Sequence, residues 1–238
     1  MCLQQSQLKT LALTIFLQDP CIYDSTGVLL VLQHWRTPGQ ARWVPLLDTK
    51  QLARLAGGRK EETYWPVAVA QDKFHCIILK GGDKYPYFPR PLLSEFDFQV
   101  PISSRPIKDA NESEEAAAER NDSARFEETF VRGSLLLSLF RDLLASTNAT
   151  ASQRSELARK ELELDKTLLQ MLAVECREGE ERGMKALELV TMMTDRNGKM
   201  LEAAAKVAQR YERGVLEDKI RDLAERRVMG MDDDDELA

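Results

Sequence analysis

The chain has 238 residues, of which 43% are hydrophobic and 30% are charged, and its formal net charge is −6. This length allows one or two domains with a sizeable apolar core, and the composition excludes a chain that is disordered throughout or collagen-like. The acidic balance disfavours the broad basic surface with which proteins bind nucleic acid phosphates. No apolar run reaches the roughly 18 residues that a membrane span needs.

The composition divides the chain near residue 107. All nine prolines, all three tryptophans and both histidines precede that position. Residues 1–106 carry 12 Lys or Arg and 9 Asp or Glu, whereas residues 107–238 carry 21 and 30. The front part is therefore +3 and the back part −9, which predicts two differently built regions.

The front part, residues 1–106, has the pattern of short strands separated by turn-forming residues. The predicted strands cover residues 10–17, 27–33, 41–47, 64–70, 73–79 and 95–100, with turns at 24–27, 37–39, 57–58 and 81–83. The clearest hairpin joins residues 67–70 to 74–79. We therefore expect an antiparallel meander, followed by a stiff proline-rich connector at 85–91.

The back part begins with residues 107–125, an acidic and alanine-rich stretch that predicts an acidic linker or a marginal exposed helix. Beyond it, apolar residues recur at the helical period. The predicted helices cover residues 126–144, 156–176, 182–195, 199–213 and 215–228, with breaks at Gly198 and Gly214. Helices joined by such short loops favour a bundle over 126–230, and residues 231–238 are expected to form a solvated acidic tail.

The residue types that carry catalysis or bind metals do not converge. His75 and Cys76 are adjacent on a predicted strand, so their side chains should point to opposite faces and cannot form a nucleophile and base pair. The four cysteines lie far apart and lack the CxxC spacing of zinc sites. The glycine turn at 81–84 lacks the GxxxxGK spacing of a phosphate-binding loop. We therefore expect no enzymatic activity, no cofactor and no metal.

The helix that begins at Lys199 carries more apolar surface than a one-sided surface helix needs. Its predicted core face consists of Leu201, Ala204, Ala208 and Tyr211. Ala203 and Val207 lie on a flank about 100° away, and Arg210 continues this flank at the i, i+4, i+7 spacing. The flank is therefore apolar, shallow and tipped by a positive charge.

The helix at 156–176 repeats this pattern, with a second apolar strip beside its core face. The strip consists of Leu162, Leu169, Ala173 and Cys176. Because small residues let a second helix approach closely, the two flanks could bind a partner helix, with Arg210 meeting an acidic group on it. Alternatively, both flanks pack on other helices of the same bundle, since bundle helices commonly touch two neighbours.

Several short strings, taken in order, characterise both parts of the chain. In the front part they are YDSTGVL at 23–29, WVPLLDT at 43–49, YWPV at 64–67, KGG at 80–82, YP at 85–86 and FPRP at 88–91. In the back part they are DKTLLQMLA at 165–173, ALELV at 186–190 and AQRY at 208–211. Together they resemble the SepB domain of the minichromosome-loss protein family, to which the WD-repeat and HMG-box DNA-binding proteins also belong. The resemblance covers nearly all of residues 18–228.

This resemblance implies a non-enzymatic adaptor of DNA replication, a replisome hub that acts on chromatin in the nucleus. Its helical bundle would bind short acidic-apolar helices of client proteins and so link the GINS-containing replicative helicase to DNA polymerase α–primase and to other factors, with a role in sister-chromatid cohesion. The family's peptide groove corresponds to Leu169 and Ala173 on one helix and to Ala203, Val207 and Arg210 on a later one. Leu172 with Cys176 is an alternative to the first pair.

The family's fold would be a six-bladed β-propeller followed by the bundle. The roughly six strands predicted here are far fewer than the roughly 24 of such a propeller, so we expect a β+α fold with the last blades of an antiparallel propeller at 1–106. An open fragment would leave an unpaired edge strand that favours self-association. A homotrimer is expected if the propeller is complete, DNA association would be mostly indirect, and no membrane contact is expected. The alternative function is a structural helical scaffold with no peptide groove.

Overall fold

The computed structural model describes residues 10–13, 19–50, 62–70, 72–80, 82–87, 91, 93–102, 114–178, 183–195 and 198–229. The end of the predicted strand at 10–17, the turn at 57–58, the start of the predicted linker and the acidic tail at 231–238 lie outside these residues. The chain divides into a front unit, Met1–Ser103 with Ser138–Ala149, and a helical unit, Ser104–Leu137 with Thr150–Ala238.

The front unit contains two antiparallel sheets among its described residues. The four-stranded sheet has the order β1-β2-β3-β4, and the three-stranded sheet has the order β5-β6-β7. The strands are β1 Thr10–Leu13, β2 Pro20–Tyr23, β3 Val28–Gln33, β4 Arg42–Asp48, β5 Thr63–Ala70, β6 Lys73–Leu79 and β7 Leu93–Asp97. The simple chain order confirms the predicted meander, and the pairing of Val69 with Phe74 confirms the predicted hairpin.

The burial pattern of the strands explains how the two sheets form a core. β3 alternates between buried and half-buried residues, as expected for a strand with one covered face. Tyr23 of β2 stacks on Phe74 of β6, with ring centroids 5.3 Å apart, so the two sheets share one apolar layer. These two sheets do not by themselves make a propeller.

The turn between β2 and β3 shows why the string at 23–29 has its composition. Asp24 Oδ1 accepts hydrogen bonds from the backbone N–H groups of Thr26 and Val28, both at 2.9 Å. Gly27 has a φ of +90°, and a Cβ there would lie 2.8 Å from Thr49 Oγ1. Thr49 Oγ1 in turn donates to the Gly27 carbonyl at 2.7 Å and lies 2.9 Å from the Tyr23 hydroxyl. The turn is therefore closed by polar side chains and leaves no room for a side chain at position 27.

The helical region contains five helices among the described residues. They are α1 Glu114–Ser146, α2 Ala151–Glu178, α3 Met184–Thr191, α4 Lys199–Arg210 and α5 Gly214–Val228. The last turns of α1 belong to the front unit and its first part to the helical unit. Because α1 begins at Glu114, the described end of the predicted linker at 107–125 is helical, which was one of its two predicted conformations. The chain thus has a β part followed by an α part, as predicted.

The ends of the helices follow from local hydrogen bonds. α2 begins with a capping box, in which Thr150 N–H donates to Gln153 Oε1 at 2.9 Å and Gln153 N–H donates to Thr150 Oγ1 at 3.3 Å. α4 ends earlier than predicted because Glu212 takes a left-handed conformation with a φ of +57°. The break between α4 and α5 is therefore at Glu212, two residues before the predicted one at Gly214.

The core of the helical unit is a cluster contributed by α2, α3, α4 and α5. Its buried residues are Leu168, Leu172, Cys176, Ala186, Leu189, Val190, Met193, Met200, Leu201, Ala204, Ala205, Ala208, Leu216 and Ile220. Alanines form much of the α4 contribution, which lets neighbouring helices approach it closely. None of the described helices combines the length and the apolarity needed to cross a membrane.

Candidate partner-binding site

α2 and α4, the two helices that carry the predicted site residues, are neighbours in the helical unit. α2 packs on α3 and α4, and α4 also packs on α5. Each helix buries one face in the core: Leu168 and Leu172 of α2 are 0% exposed, as are Leu201 and Ala208 of α4. The position of a residue relative to these faces decides whether it serves the core or remains open to a partner.

The predicted flank of α4 is only partly covered. Ala203 and Val207 are half-buried and Arg210 is exposed. Ala203 and Val207 each precede a fully buried alanine, Ala204 or Ala208, and therefore point about 100° away from it. The other helices of the chain thus leave part of this flank accessible, which is the condition that a partner surface requires.

The α2 residues separate into core and surface. Leu169 and Ala173 are half-buried, whereas the alternative pair, Leu172 and Cys176, is 0% and 3% exposed. The prediction that Cys176 belongs to the second strip of α2 is therefore wrong. By helix position Cys176 lies about 20° from Leu169, but at the end of α2 it belongs to the core cluster with Ala186 of α3 and Leu216 of α5, which leaves it covered. Of the two pairs, Leu169 and Ala173 are the ones that remain partly open.

Arg210 and Arg213 lie close in sequence but have different surroundings. Arg213 is half-buried, and its Nε donates a hydrogen bond to the Cys176 carbonyl at 3.1 Å. This bond ties the end of α2 to the turn between α4 and α5. Arg210, by contrast, forms no ion pair and no side-chain hydrogen bond with any residue that the structure describes. Its guanidinium is therefore available to a carboxylate from outside the chain.

Two cavities lie elsewhere in the helical unit. One of about 170 Å³ lies between the end of α2, the start of α3 and the turn before α5, and Cys176 and Arg213 line it. The other, of about 310 Å³, lies between α4 and α5, with Leu201, Ala205 and Ala224 on its apolar floor. Cys176 of the alternative pair lines the first cavity, but Leu169, Ala173, Ala203, Val207 and Arg210 line neither. The candidate site thus consists of shallow strips on two adjacent helices, α2 and α4, and is not a closed pocket.

One feature of α4 was not predicted from the sequence. Lys199, Lys206 and Arg210 are all exposed and follow one another at spacings of seven and four residues. At about 100° per residue these three side chains fall within about 40° around the helix. None of them forms an ion pair with another residue in the described part of the chain. We call this set the cation line. Its i, i+7, i+11 spacing is visible in the sequence and could have predicted a positively charged strip on α4.

The candidate catalytic residues are arranged as the sequence predicted. Cys76 of β6 is buried, and burial raises the pKa of its thiol to about 12. The preceding residue, His75, is half-buried on the other face of the sheet, and its Nδ1 lies 3.7 Å from Glu95 Oε1. A thiol with such a high pKa stays protonated near neutral pH and is a poor nucleophile. Among the described residues, no group of three or more His, Cys, Asp or Glu side chains could hold a metal ion.

Comparisons with family models match both parts of the chain. The model described as minichromosome loss protein, Mcl1, middle region, matches residues 1–102. The model described as DNA polymerase alpha-binding protein Ctf4, C-terminal domain, matches residues 124–230. The second match contains all five predicted site residues and the whole cation line.

Two curated relatives agree with these models. Minichromosome loss protein 1 of Schizosaccharomyces pombe is 42% identical over 205 residues, which cover 86% of this chain and 23% of the relative. The DNA polymerase alpha-binding protein of Saccharomyces cerevisiae is 31% identical over 233 residues, which cover 88% of this chain and 25% of the relative. The chain therefore spans about a quarter of the length of these relatives. With both of its parts matched in the same order, the chain belongs to the minichromosome-loss and Ctf4 protein family.

Proposed function

We propose that the chain is a non-enzymatic adaptor of DNA replication whose helical unit binds short helical segments of other proteins, DNA polymerase α among them. The Saccharomyces cerevisiae relative is named for binding this polymerase, and the family model with the same description matches residues 124–230. This match supports the assignment of polymerase binding to the helical unit. Because the chain spans about a quarter of the relative, the activity of the whole relative is a proposal for this chain.

The proposed binding surface consists of Leu169 and Ala173 on α2 and of Ala203, Val207 and Arg210 on α4. The observation that carries it is a half-exposed apolar flank beside a cation that has no partner among the described residues. The two alanines would let the backbone of a partner helix come close, and the larger side chains would cover its apolar residues. Arg210 would donate charge-assisted hydrogen bonds to a carboxylate of the partner.

The chemistry of this surface favours a partner helix that combines carboxylates with leucine or isoleucine. Because residues 107–238 carry a net charge of −9, an acidic segment gains little long-range attraction and depends on nearby cations. The shallow surface also buries little apolar area. We therefore expect weak binding at a single site, which several linked sites would strengthen through a high effective concentration.

The family membership supports a wider proposal. We propose that the chain acts on nuclear chromatin as a hub that links the GINS-containing helicase to DNA polymerase α–primase and other replication factors, with a role in sister-chromatid cohesion. We further propose that the front unit contributes blades to a β-propeller and that a complete propeller forms a homotrimer, with mostly indirect DNA association. The four-stranded antiparallel sheet in simple chain order, which is how a propeller blade is built, supports the propeller.

A peptide titration tests the proposed surface. A labelled helical peptide with acidic residues ahead of leucine and isoleucine is titrated into the unsubstituted chain and into the double variant Ala203→Glu with Arg210→Glu. Losing the small contact residue and reversing the charge should weaken binding by more than about tenfold, as at a binding hot spot. Lys219→Glu, at an exposed position on α5, is a matched charge-reversal control and should bind as the unsubstituted chain does. Unchanged affinity of the double variant would contradict the site assignment.

A structural scaffold without a peptide groove is the second candidate. It is favoured by the observation that Leu169 and Val207, although half-buried, pack against the core cluster of the helical unit. In that case the same double variant should lose helical stability in urea, and the peptide should bind neither protein. The double variant should therefore change peptide affinity if the chain is an adaptor, and the stability in urea if it is a structural scaffold.

A further inference from the structure

We propose that the cation line of α4 binds the acidic segment that follows α5 in the same chain, residues 231–238. This segment has the sequence MDDDDELA, with five consecutive carboxylates at 232–236 and a leucine directly after them. The cation line offers three exposed positive side chains without partners among the described residues. The segment and the line therefore have opposite charges, and the segment combines carboxylates with an apolar residue.

The packing of α4 and α5 brings the segment to the correct end of the line. Only residues 211–213 separate the two helices, which pack against each other. Val228 Cγ2, at the end of α5, lies 3.8 Å from the position that a Cβ would take on Gly198, just before α4. The segment therefore leaves α5 close to Lys199, the first member of the line.

The segment is also long enough to follow the whole line. The backbone rise from Lys199 to Arg210 is about 17 Å in an α-helix. The seven residues that follow Met229, up to Glu236, span up to about 23 Å when extended. Carboxylates of one segment can therefore meet all three cations without any change in α4 or α5.

The charges around the line direct the segment to it. Two carboxylates, Glu202 and Glu225, line the groove between α4 and α5 and would repel an acidic chain there, whereas on α4 itself only Glu202 lies beside the line, one turn from Lys199 and from Lys206. Arg221, which also borders that groove, is already paired with Glu217 at 2.5 Å. Lys206 borders the groove as well, but the other two members of the line do not. The solvent-facing line is thus the more favourable path for the carboxylates.

The tether makes a weak contact sufficient. Exposed ion pairs contribute little individually, so the free segment should bind only weakly. A short covalent connection, however, gives an effective concentration in the millimolar range, so a millimolar affinity already fills about half of the sites. Since Arg210 belongs to both surfaces, the bound segment would compete with acidic partners. That competition rests on the proposed function, whereas the contact itself does not.

The test uses the full chain and a labelled peptide with the sequence of residues 229–238. In one variant Asp232 to Asp235 are replaced by Asn and Glu236 by Gln, which frees the cation line. We expect this variant to bind the peptide about twofold more tightly than the unsubstituted chain, in which the attached segment occupies about half of the sites. Adding Lys199→Gln, Lys206→Gln and Arg210→Gln to the neutralised chain should weaken binding about tenfold, through the loss of three exposed charge pairs.

Lys219→Gln in the neutralised chain is the matched control, because it removes an exposed cation from α5 and should leave the affinity unchanged. Equal affinity of the unsubstituted and neutralised chains would overturn the proposal. So would the absence of binding to the neutralised chain, or binding that survives the triple substitution. Because no client protein takes part, such a failure would leave the proposed partner surface to its own titration.

Discussion

The front unit and the helical unit use polar side chains in different ways. In the front unit, Asp19 is fully buried and accepts hydrogen bonds from Trp35 Nε1 at 2.8 Å and from Arg36 at 2.5 Å. On α4 in the helical unit, by contrast, the cation line lies in solvent with no partner among the described residues. Bonded, buried polar groups therefore hold the fold, whereas exposed cations without a partner are available for binding.

The helical unit contains both kinds of polar group. Arg227 donates hydrogen bonds to the carbonyls of Thr191, the last residue of α3, at 2.8 Å and of Met193 at 2.6 Å, and so satisfies backbone acceptors at the end of α3. Arg213 does the same for α2 at the Cys176 carbonyl. The same residue type therefore serves the fold at positions 213 and 227 and, in our account, a partner at position 210. Substitutions at these positions separate the two roles.

The largest effect is expected from the core of α2. Leu172→Ala should lower the free energy of unfolding by about 2–5 kcal/mol, because Leu172 is 0% exposed and its removal leaves a cavity. Leu169→Ala, on the same helix but half-buried, should cost clearly less and should weaken peptide binding instead. Urea unfolding followed by the helical circular dichroism signal measures both variants. Equal losses of stability would show that Leu169 belongs to the core.

The second effect concerns the front unit. Gly27→Ala should lower the free energy of unfolding by about 2 kcal/mol or more. The alanine would have to adopt a left-handed backbone conformation, and its Cβ would lie 2.8 Å from Thr49 Oγ1. Gly39 also has a positive φ, of +78°, but a Cβ there would meet nothing within 4 Å, so Gly39→Ala should cost only about 1 kcal/mol. All three tryptophans lie in the front unit, so their fluorescence during urea unfolding reports on it. If Gly27→Ala and Gly39→Ala lowered the free energy of unfolding equally, the close contact with Thr49 would not matter for stability.

A smaller loss is expected at Arg213. Arg213→Gln removes a hydrogen bond from a charged donor to the Cys176 carbonyl and should cost about 1–2 kcal/mol. Arg210→Gln should leave the free energy of unfolding nearly unchanged, because Arg210 bonds to no other described side chain. The helical circular dichroism signal in urea again gives both values. If Arg210→Gln lowered the free energy of unfolding as much as Arg213→Gln does, Arg210 would have to contribute to the fold.

The smallest effect is a pH dependence at Asp165. Burial raises the pKa of this carboxyl, although the hydrogen bonds from Thr194 oppose the shift. As the pH falls from neutral towards the ordinary value of 3.8, the folded state therefore binds a proton before the unfolded state does. The unsubstituted chain should gain stability relative to Asp165→Asn across this range. Urea unfolding at several pH values measures the difference, and a relative loss of stability would refute the raised pKa.

Much of the fold was predictable because it depends on local sequence. The hairpin of β5 and β6 follows from a short polar turn between two apolar runs, and the start of α4 follows from Gly198. β2 was missed because it has only four residues and begins with Pro20, which breaks the strand pattern. Glu212 was missed as the end of α4 because its left-handed conformation has no signature in an otherwise helical sequence.

The exposure of the candidate site residues was predictable only in part. Spacing alone identified the flank of α4, since neighbouring residues on a helix diverge by about 100°. The assignment of Cys176 to the second strip failed although its spacing from Leu169 fits that strip, because Cys176 joins the core cluster with Ala186 of α3 and Leu216 of α5 at the end of α2. The bond from Arg213 to Cys176 joins residues 37 positions apart, and such a contact depends on how the helices pack. The sequence therefore predicts which residues share a face, and the packing decides which of them are covered.

The most direct test of the central claim measures peptide affinity for Arg210→Gln and Arg213→Gln side by side. The same acidic-apolar helical peptide is titrated into both variants and into the unsubstituted chain, under conditions in which all three are folded. We expect weaker binding only for Arg210→Gln, because Arg213 is engaged with the Cys176 carbonyl. Loss of binding in Arg213→Gln with full binding in Arg210→Gln would contradict it.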